Sequence, residues 1–177
     1  MKHILIAIFT LLSFTVFGQL STLEVQSKSA KVISVHDGDS YGVRFLERPD
    51  TTIMIRLHNV DAPEVIFYVT KDQPFGRQAG NKMRDFLKGD TVQVSVVYKD
   101  TFGRLVCDVT TSDSTDVAEY MLIRGYGWYD DDKATSLERA AKLKGYQKEA
   151  DKANLGLWGE KGRKLRPDTW RKKYSRI

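Results

Sequence analysis

VISVHDGDSYGVRF (residues 32–45) joins two strand-like runs through an Asp-Gly-Asp turn. Ile33 and Val35 alternate with a polar residue before the turn, and a second strand-like run starts at Tyr41. This pattern predicts a β-hairpin. One aspartate beside a glycine is enough for a tight reversal of the chain. The second one, Asp39, either accepts a backbone hydrogen bond or has a role beyond the turn.

Three more strands and three helices are predicted further along the chain. Alternating apolar residues indicate strands at 53–57, 92–98 and 105–109, and in the second of these Val92, Val94, Val96 and Tyr98 alternate with polar residues. Helical periodicity with start and stop signals indicates helices within the segments 74–89, 114–125 and 135–156. Five strands with a helix between the third and fourth predict an α+β fold, a five-stranded OB-fold Greek-key β-barrel with three α-helices.

The N-terminus has the pattern of a secretory signal peptide. Lys2 and His3 precede a mostly apolar run from Ile4 to Phe17. A membrane-spanning helix needs about 20 apolar residues, so this run is short for an anchor. We expect a signal peptide at 1–18 that is cleaved near Gly18-Gln19. The product would be secreted or periplasmic, with no stable membrane anchor.

Basic residues are concentrated at the C-terminus. The chain has 28 Lys and Arg against 23 Asp and Glu, a net charge of +5. This mild excess suits nucleic acid, an anionic surface or neither. The tail at 161–177 is either a solvated, frayed terminus or an arm that attracts phosphate, with Trp170 and Tyr174 available to stack on bases or to cover the core.

Single residues with reactive side chains point to few other chemistries. Cys107 is the only cysteine, so no internal disulfide can form, and its apolar strand predicts a buried, inert thiol. His36 and His58 are too few and too far apart in sequence to indicate a zinc site, and both are expected at the surface.

A second acidic turn follows the third strand, in RLHNVDAPE (residues 56–64). If the first three strands form a meander, both acidic turns reach one end of the sheet, and Asp39, Asp61 and Glu64 converge. Arg56 joins them, because strand alternation directs it away from the apolar face of its own strand.

Three converging carboxylates repel one another unless a cation lies between them. Calcium suits such a site, because it binds about 6–8 oxygen ligands. Arg56 and Arg104 could hold a phosphodiester with their planar, permanently charged guanidinium groups. The alternative is that these arginines form surface ion pairs, which contribute about 0–1 kcal/mol each.

The ordered set VHDGDS, IRLHNVDAPE, PFGRQA, FGR and NLGLWGE resembles the thermonuclease (staphylococcal-nuclease-like) family across residues 29–160. The resemblance implies a nuclease domain at 19–160, between the signal peptide and the basic tail at 161–177. It also implies a monomeric, calcium-dependent phosphodiesterase. Such an enzyme would cut DNA and RNA, with single strands favoured, and leave 3′-phosphates with little sequence preference.

The resemblance also implies a role for individual residues. Asp39, Asp61 and the carbonyl of Ala62 match the ligands of one Ca²⁺ ion. Glu64 matches the general base. Arg56 and Arg104 match the phosphate-binding arginines that stabilise the five-coordinate transition state.

The chain departs from the family pattern at positions that concern substrate binding. Ala62 stands where the family has threonine, and Phe102 where well-known members have tyrosine, which removes a phenolic hydrogen bond to substrate. No residue clearly matches the family's nucleotide-stacking tyrosine after the second helix, where the chain offers Trp128 and Tyr129. The acidic run Asp130–Asp132 is most simply a solvated turn that favours the start of the last helix. The apolar loop at 65–73 is expected to pack as a lid, or alternatively to offer Tyr68 to a base.

Two other classes of function are consistent with an exported OB-fold. One is a binding module that holds nucleic acid or protein without catalysis, and the other is a periplasmic structural protein. A module without catalysis has no need for the two arginines and three carboxylates, so their presence favours a nuclease.

Overall fold

The computed structural model describes residues 26–65, 70–132, 134–159 and 165–175. The signal peptide, its cleavage site and Tyr68 lie outside the described residues, as do parts of the predicted lid and of the basic tail. Among the helices that are described, none combines the length and the apolar character needed to cross a membrane.

Seven strands are present in the described part of the chain. They are β1 (Lys28–Val35), β2 (Ser40–Phe45), β3 (Ile53–Leu57), β4 (Val60–Asp61), β5 (Thr91–Lys99), β6 (Leu105–Thr111) and β7 (Trp128–Tyr129). Five of them close into a barrel in the order β1-β2-β3-β6-β5, and β4 pairs with β7 in a small separate sheet. The predicted five-stranded barrel is therefore confirmed.

Four α-helices accompany the barrel, where three were predicted. They are α1 (Gly76–Leu87), α2 (Val117–Ile123), α3 (Leu137–Lys152) and α4 (Pro167–Tyr174), with a 3₁₀ turn at Gly156–Gly159. The first three match the predicted segments. The fourth lies in the basic tail, where its short length and high charge hid it from a search for helical periodicity.

Strand alternation in β3 sends its side chains to two different places. Ile55 and Leu57 are buried in the barrel core, and Arg56 lies on the opposite face. The parallel pairing of β3 with β6 sets Arg56 beside Val106. One short strand thus contributes both to the core and to the outer surface where the acidic turns meet.

Bulges change which side chains face the core. In β5 the register shifts between Val96 and Tyr98, and both side chains are more than one-third exposed. The alternation of the sequence therefore does not keep Val96 and Tyr98 on the buried face with Val92 and Val94, because a bulge breaks the simple alternation of a strand. A second bulge, between Val32 and Ser34, leaves Val32 and Val35 buried in β1.

The described part of the basic tail packs against the domain. Trp170 is buried, and its indole Nε1 donates to the carbonyl of Lys71 at 2.9 Å. The backbone N–H of Thr70 donates to the carbonyl of Tyr174 at 2.8 Å. Residues 165–175 are therefore not a solvated, frayed terminus. Trp170 covers the fold, which is one of the two roles suggested for it above.

His58 is only 2% exposed, so its expected surface position is wrong. Its Nδ1 lies 3.0 Å from a carboxylate oxygen of Asp108, and its Nε2 lies 3.3 Å from the hydroxyl of Thr135. These contacts attach the segment before α3 to the barrel. The sequence did not reveal them because the three residues are far apart in the chain.

The buried thiol of Cys107 gives a direct test of the fold. Burial raises its pKa to about 12, and only the thiolate reacts with an aromatic disulfide reagent. At pH 8 we expect the native protein to react at least about 100-fold more slowly than the protein unfolded in guanidinium chloride. Equal rates in the two states would contradict the placement of β6.

Candidate active site

Four predicted site residues meet at one end of the barrel. Asp39 lies in the turn before β2, Arg56 in β3, Asp61 in β4 and Glu64 in the loop after β4. Antiparallel pairing sets Ser40 beside Arg56, which brings the first acidic turn to the third strand. The meander expected from the sequence therefore carries both acidic turns to the same place.

The guanidinium group of Arg56 bridges the two aspartates. Its Nη1 donates to Asp39 Oδ1 at 3.1 Å, and its Nη2 donates to Asp61 Oδ1 at 2.8 Å. The side chains are 15%, 4% and 4% exposed for Arg56, Asp39 and Asp61 respectively. The charge of Asp39 is the largest cause of a raised pKa at Arg56, which stays protonated.

The two aspartates of the Asp-Gly-Asp turn have different roles. Asp37 closes the turn, because its Oδ1 accepts from the backbone N–H of Asp39 at 3.0 Å. Asp39 instead reaches the second acidic turn, where its Oδ2 accepts from the N–H of Ala62 at 2.7 Å. The hydroxyl of Ser40 donates to the other oxygen of Asp39 at 3.0 Å. Asp39 therefore belongs to the site as well as to the turn.

Glu64 is buried beside a residue from the C-terminal helix. Arg171 donates through Nη1 to Glu64 Oε1 and, at 3.3 Å, to Asp61 Oδ1. Burial raises the pKa of Glu64, and the charge of Arg171 opposes that rise. The backbone N–H of Glu64 donates to the side-chain oxygen of Gln73 at 3.1 Å, which fixes the loop.

Arg104 does not join this group directly. It precedes β6, two residues before Val106, the register partner of Arg56. Its Nε donates to Asp100 Oδ2 at 2.8 Å, within its own turn. The structure thus places Arg104 in the turn just before β6, the strand next to β3, and pairs it with Asp100.

The two residues predicted to contact substrate differ in accessibility. Phe102 is 84% exposed at the tip of the turn before β6, with the guanidinium carbon of Arg104 5.5 Å from its ring centre. Tyr129 is 6% exposed, and its hydroxyl donates to Asp131 at 2.9 Å. Tyr129 has little ring surface to offer a base, so its expected stacking role has no support.

Two residues near the site were missed from the sequence. Tyr98 faces outward in β5 and pairs with Val106, so it lies on the same face as Arg56. In the sequence Arg171 is one basic residue among many in the tail, and its charge alone does not reveal its position. The spacing of Trp170 and Tyr174, four residues apart next to Pro167, was the available signal that this segment is an amphipathic helix.

The donor atoms at the site are of the type that a hard divalent cation prefers, and two of the three donor groups are negatively charged carboxylates. Asp39, Asp61 and the carbonyl of Ala62 offer only oxygen. Burial raises the pKa of Asp37 well above its ordinary value, and the nearby charge of Asp39 adds to that rise. Among the described residues no group of three or more His, Cys, Asp or Glu side chains could hold a metal. An ion here would rest on two carboxylates, a backbone oxygen and water.

Comparison with known proteins gives the family. The family model described as "Staphylococcal nuclease homologue" matches residues 54–160. The chain belongs to this family. The matched segment contains Arg56, Asp61, Glu64 and Arg104, but Asp39 and Arg171 lie outside it. For those two residues, membership in the site rests on the contacts described above.

Relatives occur in bacteria, plants and fungi. An "Uncharacterized endonuclease" of Escherichia coli O157:H7 is 31% identical over 130 residues, which cover 73% of this chain and 76% of that protein. A "Probable staphylococcal-like nuclease" of Oryza sativa subsp. japonica is 27% identical over 154 residues, covering 84% of this chain and 37% of the plant protein. A "Probable endonuclease" of Yarrowia lipolytica is 32% identical over 128 residues, covering 68% of this chain and 56% of the yeast protein.

The two acidic turns touch at Gly38, which yields a prediction. A Cβ at Gly38 would lie 2.6 Å from the Cβ of Ala62 and 3.1 Å from the Cε of Met121. We expect Gly38→Ala to lower the free energy of unfolding by about 1–3 kcal/mol, because overpacking forces the loops apart. Urea denaturation measures the change.

Gly145→Ala is the matched control for this substitution. A methyl group there meets no atom within 4 Å, and Gly145 lies within α3. Alanine should stabilise that helix by about 0.5–1 kcal/mol. If Gly38→Ala is as stable as the wild type, the two acidic turns do not touch.

Proposed function

We propose that the protein is a secreted nuclease that hydrolyses phosphodiester bonds with the help of one Ca²⁺ ion. It acts as a monomer on DNA and RNA, favours single strands, has little sequence preference and leaves 3′-phosphates. The observation that carries this proposal is the buried contact of Arg56 with Asp39 and Asp61 beside Glu64, in a family whose relatives are named nucleases. Export is supported by the signal-like run at 4–17.

Stability does not explain this group of charges. Moving an ion out of water costs several kcal/mol, and pairing it inside a protein about offsets that cost. Apolar residues of similar volume are often equally stabilising or better. A net gain in stability is therefore a weak reason to bury Asp39, Arg56 and Asp61 together, which favours a chemical role for them.

Glu64 is the proposed general base. It removes a proton from the water that attacks the phosphorus atom. A base works best when its pKa lies near the working pH, and burial raises the pKa of Glu64 in that direction. The hydrogen bond from its N–H to Gln73 supports this role, because a base must be held at a defined position.

Arg56 and Arg104 are the proposed phosphate ligands. Arg56 has its charge held in place by two aspartates, and guanidinium donors that are positioned in advance stabilise negative charge that grows during attack. Arg104 is one-third exposed in the turn that leads into the adjacent strand β6. Phe102, at the exposed tip of the same turn, is the proposed contact for a base.

Asp39, Asp61 and the carbonyl of Ala62 are the proposed ligands of calcium. When bound, calcium supplies positive charge next to the phosphate oxygens. An open site with few protein ligands is expected to bind weakly, with a Kd of about 10⁻⁴–10⁻³ M, as in extracellular calcium modules. The position of Asp39 is supported by three hydrogen bonds, from Arg56, Ser40 and Ala62.

Glu64→Gln tests the proposed base. Gln keeps the size of the side chain but cannot accept the proton, so we expect kcat to fall by about 10²–10⁴-fold. Steady-state digestion of single-stranded DNA measures it, with the unfolding midpoint as the check on folding. Glu47→Gln is the control, because Glu47 lies on the surface in an ion pair with Lys28 and should leave kcat unchanged. A fully active Glu64→Gln variant would remove Glu64 from the mechanism.

Removal of metal tests the calcium ligands. We expect a chelator to abolish digestion of single-stranded DNA by the chain starting at Gln19, and Ca²⁺ at about 10⁻⁴–10⁻³ M to restore it. Binding of the same DNA in the presence of the chelator is measured in parallel. Activity that survives chelation excludes the calcium role, and binding without cleavage under all conditions would favour the binding module.

A further inference from the structure

The C-terminal helix delivers a side chain into the candidate active site. Arg171, in α4, lies 107 residues from Glu64 and 110 from Asp61 in the sequence. Its Nη1 contacts Glu64 Oε1 and lies 3.3 Å from Asp61 Oδ1, and its Nη2 lies 3.4 Å from Asp61 Oδ2. One guanidinium group therefore joins the proposed base to a proposed metal ligand.

The chain holds α4 in this position by several contacts. Trp170, next to Arg171, is 6% exposed and donates from its indole to the carbonyl of Lys71. Thr70 and Tyr174 are joined by a backbone hydrogen bond. A displaced α4 would expose an indole ring and break both hydrogen bonds. These contacts dock α4 against the loop at 70–73.

A second connection links the same two regions through Gln73. Its side-chain oxygen accepts from the N–H of Glu64, and its Nε2 donates to the carbonyl of Leu165 at 2.6 Å. The loop that carries Glu64 is therefore attached to the C-terminal segment at its backbone as well as at its carboxylate. Both connections limit the positions that the carboxylate can take.

We propose that Arg171 is a positioning residue of the active site, which holds the Glu64 carboxylate beside Asp61 from the C-terminal helix. This inference rests on the proposed role of Glu64 as the base. Since the contact fixes the geometry of the base, its loss should lower kcat and leave KM nearly unchanged. An arginine that bound substrate phosphate would instead change KM, and one that blocked the site would raise activity when removed.

The experiment compares the full chain with three variants in digestion of single-stranded DNA. We expect Arg171→Ala to lower kcat by about 10–100-fold, the effect of a small displacement of a catalytic group. Arg171→Lys should have a kcat only slightly above that of Arg171→Ala, because the single ammonium group of lysine replaces the planar guanidinium group of arginine. Lys172→Ala is the matched control, since it removes the same charge from an exposed position of the same helix and should leave kcat unchanged.

Added guanidinium ion provides a readout that a purely structural role would not move. Millimolar guanidinium should raise kcat of Arg171→Ala by filling the vacated position, and should not raise kcat of Lys172→Ala. Unfolding midpoints are measured for every variant. If Arg171→Ala does not fold, a loss of kcat in a folded Arg171→Lys variant supports the proposal, and unchanged kcat in that variant overturns it.

The outcomes separate this inference from the proposed function. Absence of cleavage by the wild type would overturn the nuclease itself. An active wild type with an equally active Arg171→Ala variant would overturn only the role of Arg171. A rise in KM at constant kcat, or a rise in kcat, would also overturn it, in favour of a phosphate-binding arm or of a blocking contact respectively.

Discussion

The contact of one guanidinium group with two aspartates organises this end of the barrel. Arg56 joins the turn before β2 to strand β4 through Asp39 and Asp61, with each partner almost completely buried. Removing one partner of such a group leaves an uncompensated buried charge, which costs about 3–5 kcal/mol. The barrel and the site therefore depend on each other, because β3 contributes Ile55 to the core and Arg56 to the contact.

The geometry of the two acidic turns follows from the same constraint. They approach so closely that Gly38 and Ala62 touch, with no room for a side chain at Gly38. This approach brings the N–H of Ala62 to Asp39, which already accepts from Arg56. Ala62 stands where the family has threonine. Its contribution here comes from its backbone N–H, and its small side chain suits the close approach to Gly38.

The basic tail has a more specific role than its composition suggests. Net charge alone suits nucleic acid, an anionic surface or neither, whereas residues 165–175 pack α4 on the loop at 70–73. Arg171 then balances part of the negative charge around Asp61 and Glu64. At least one positive charge of the tail thus forms ion pairs with acidic residues of the same chain.

Sequence by itself was sufficient for the barrel, for the outward direction of Arg56 and for the meeting of Asp39, Asp61 and Glu64. The direction of Arg56 and the meeting of the acidic turns depend on strand alternation and on short connections between neighbouring strands, which are local properties of the chain. The barrel was predicted from the order of its strands and helices. The outward position of Tyr98, the burial of His58 and the place of Arg171 were decided only by tertiary structure. A bulge reverses alternation without a reliable sequence signal, and contacts between residues about 50 to 110 positions apart depend on how the finished elements pack.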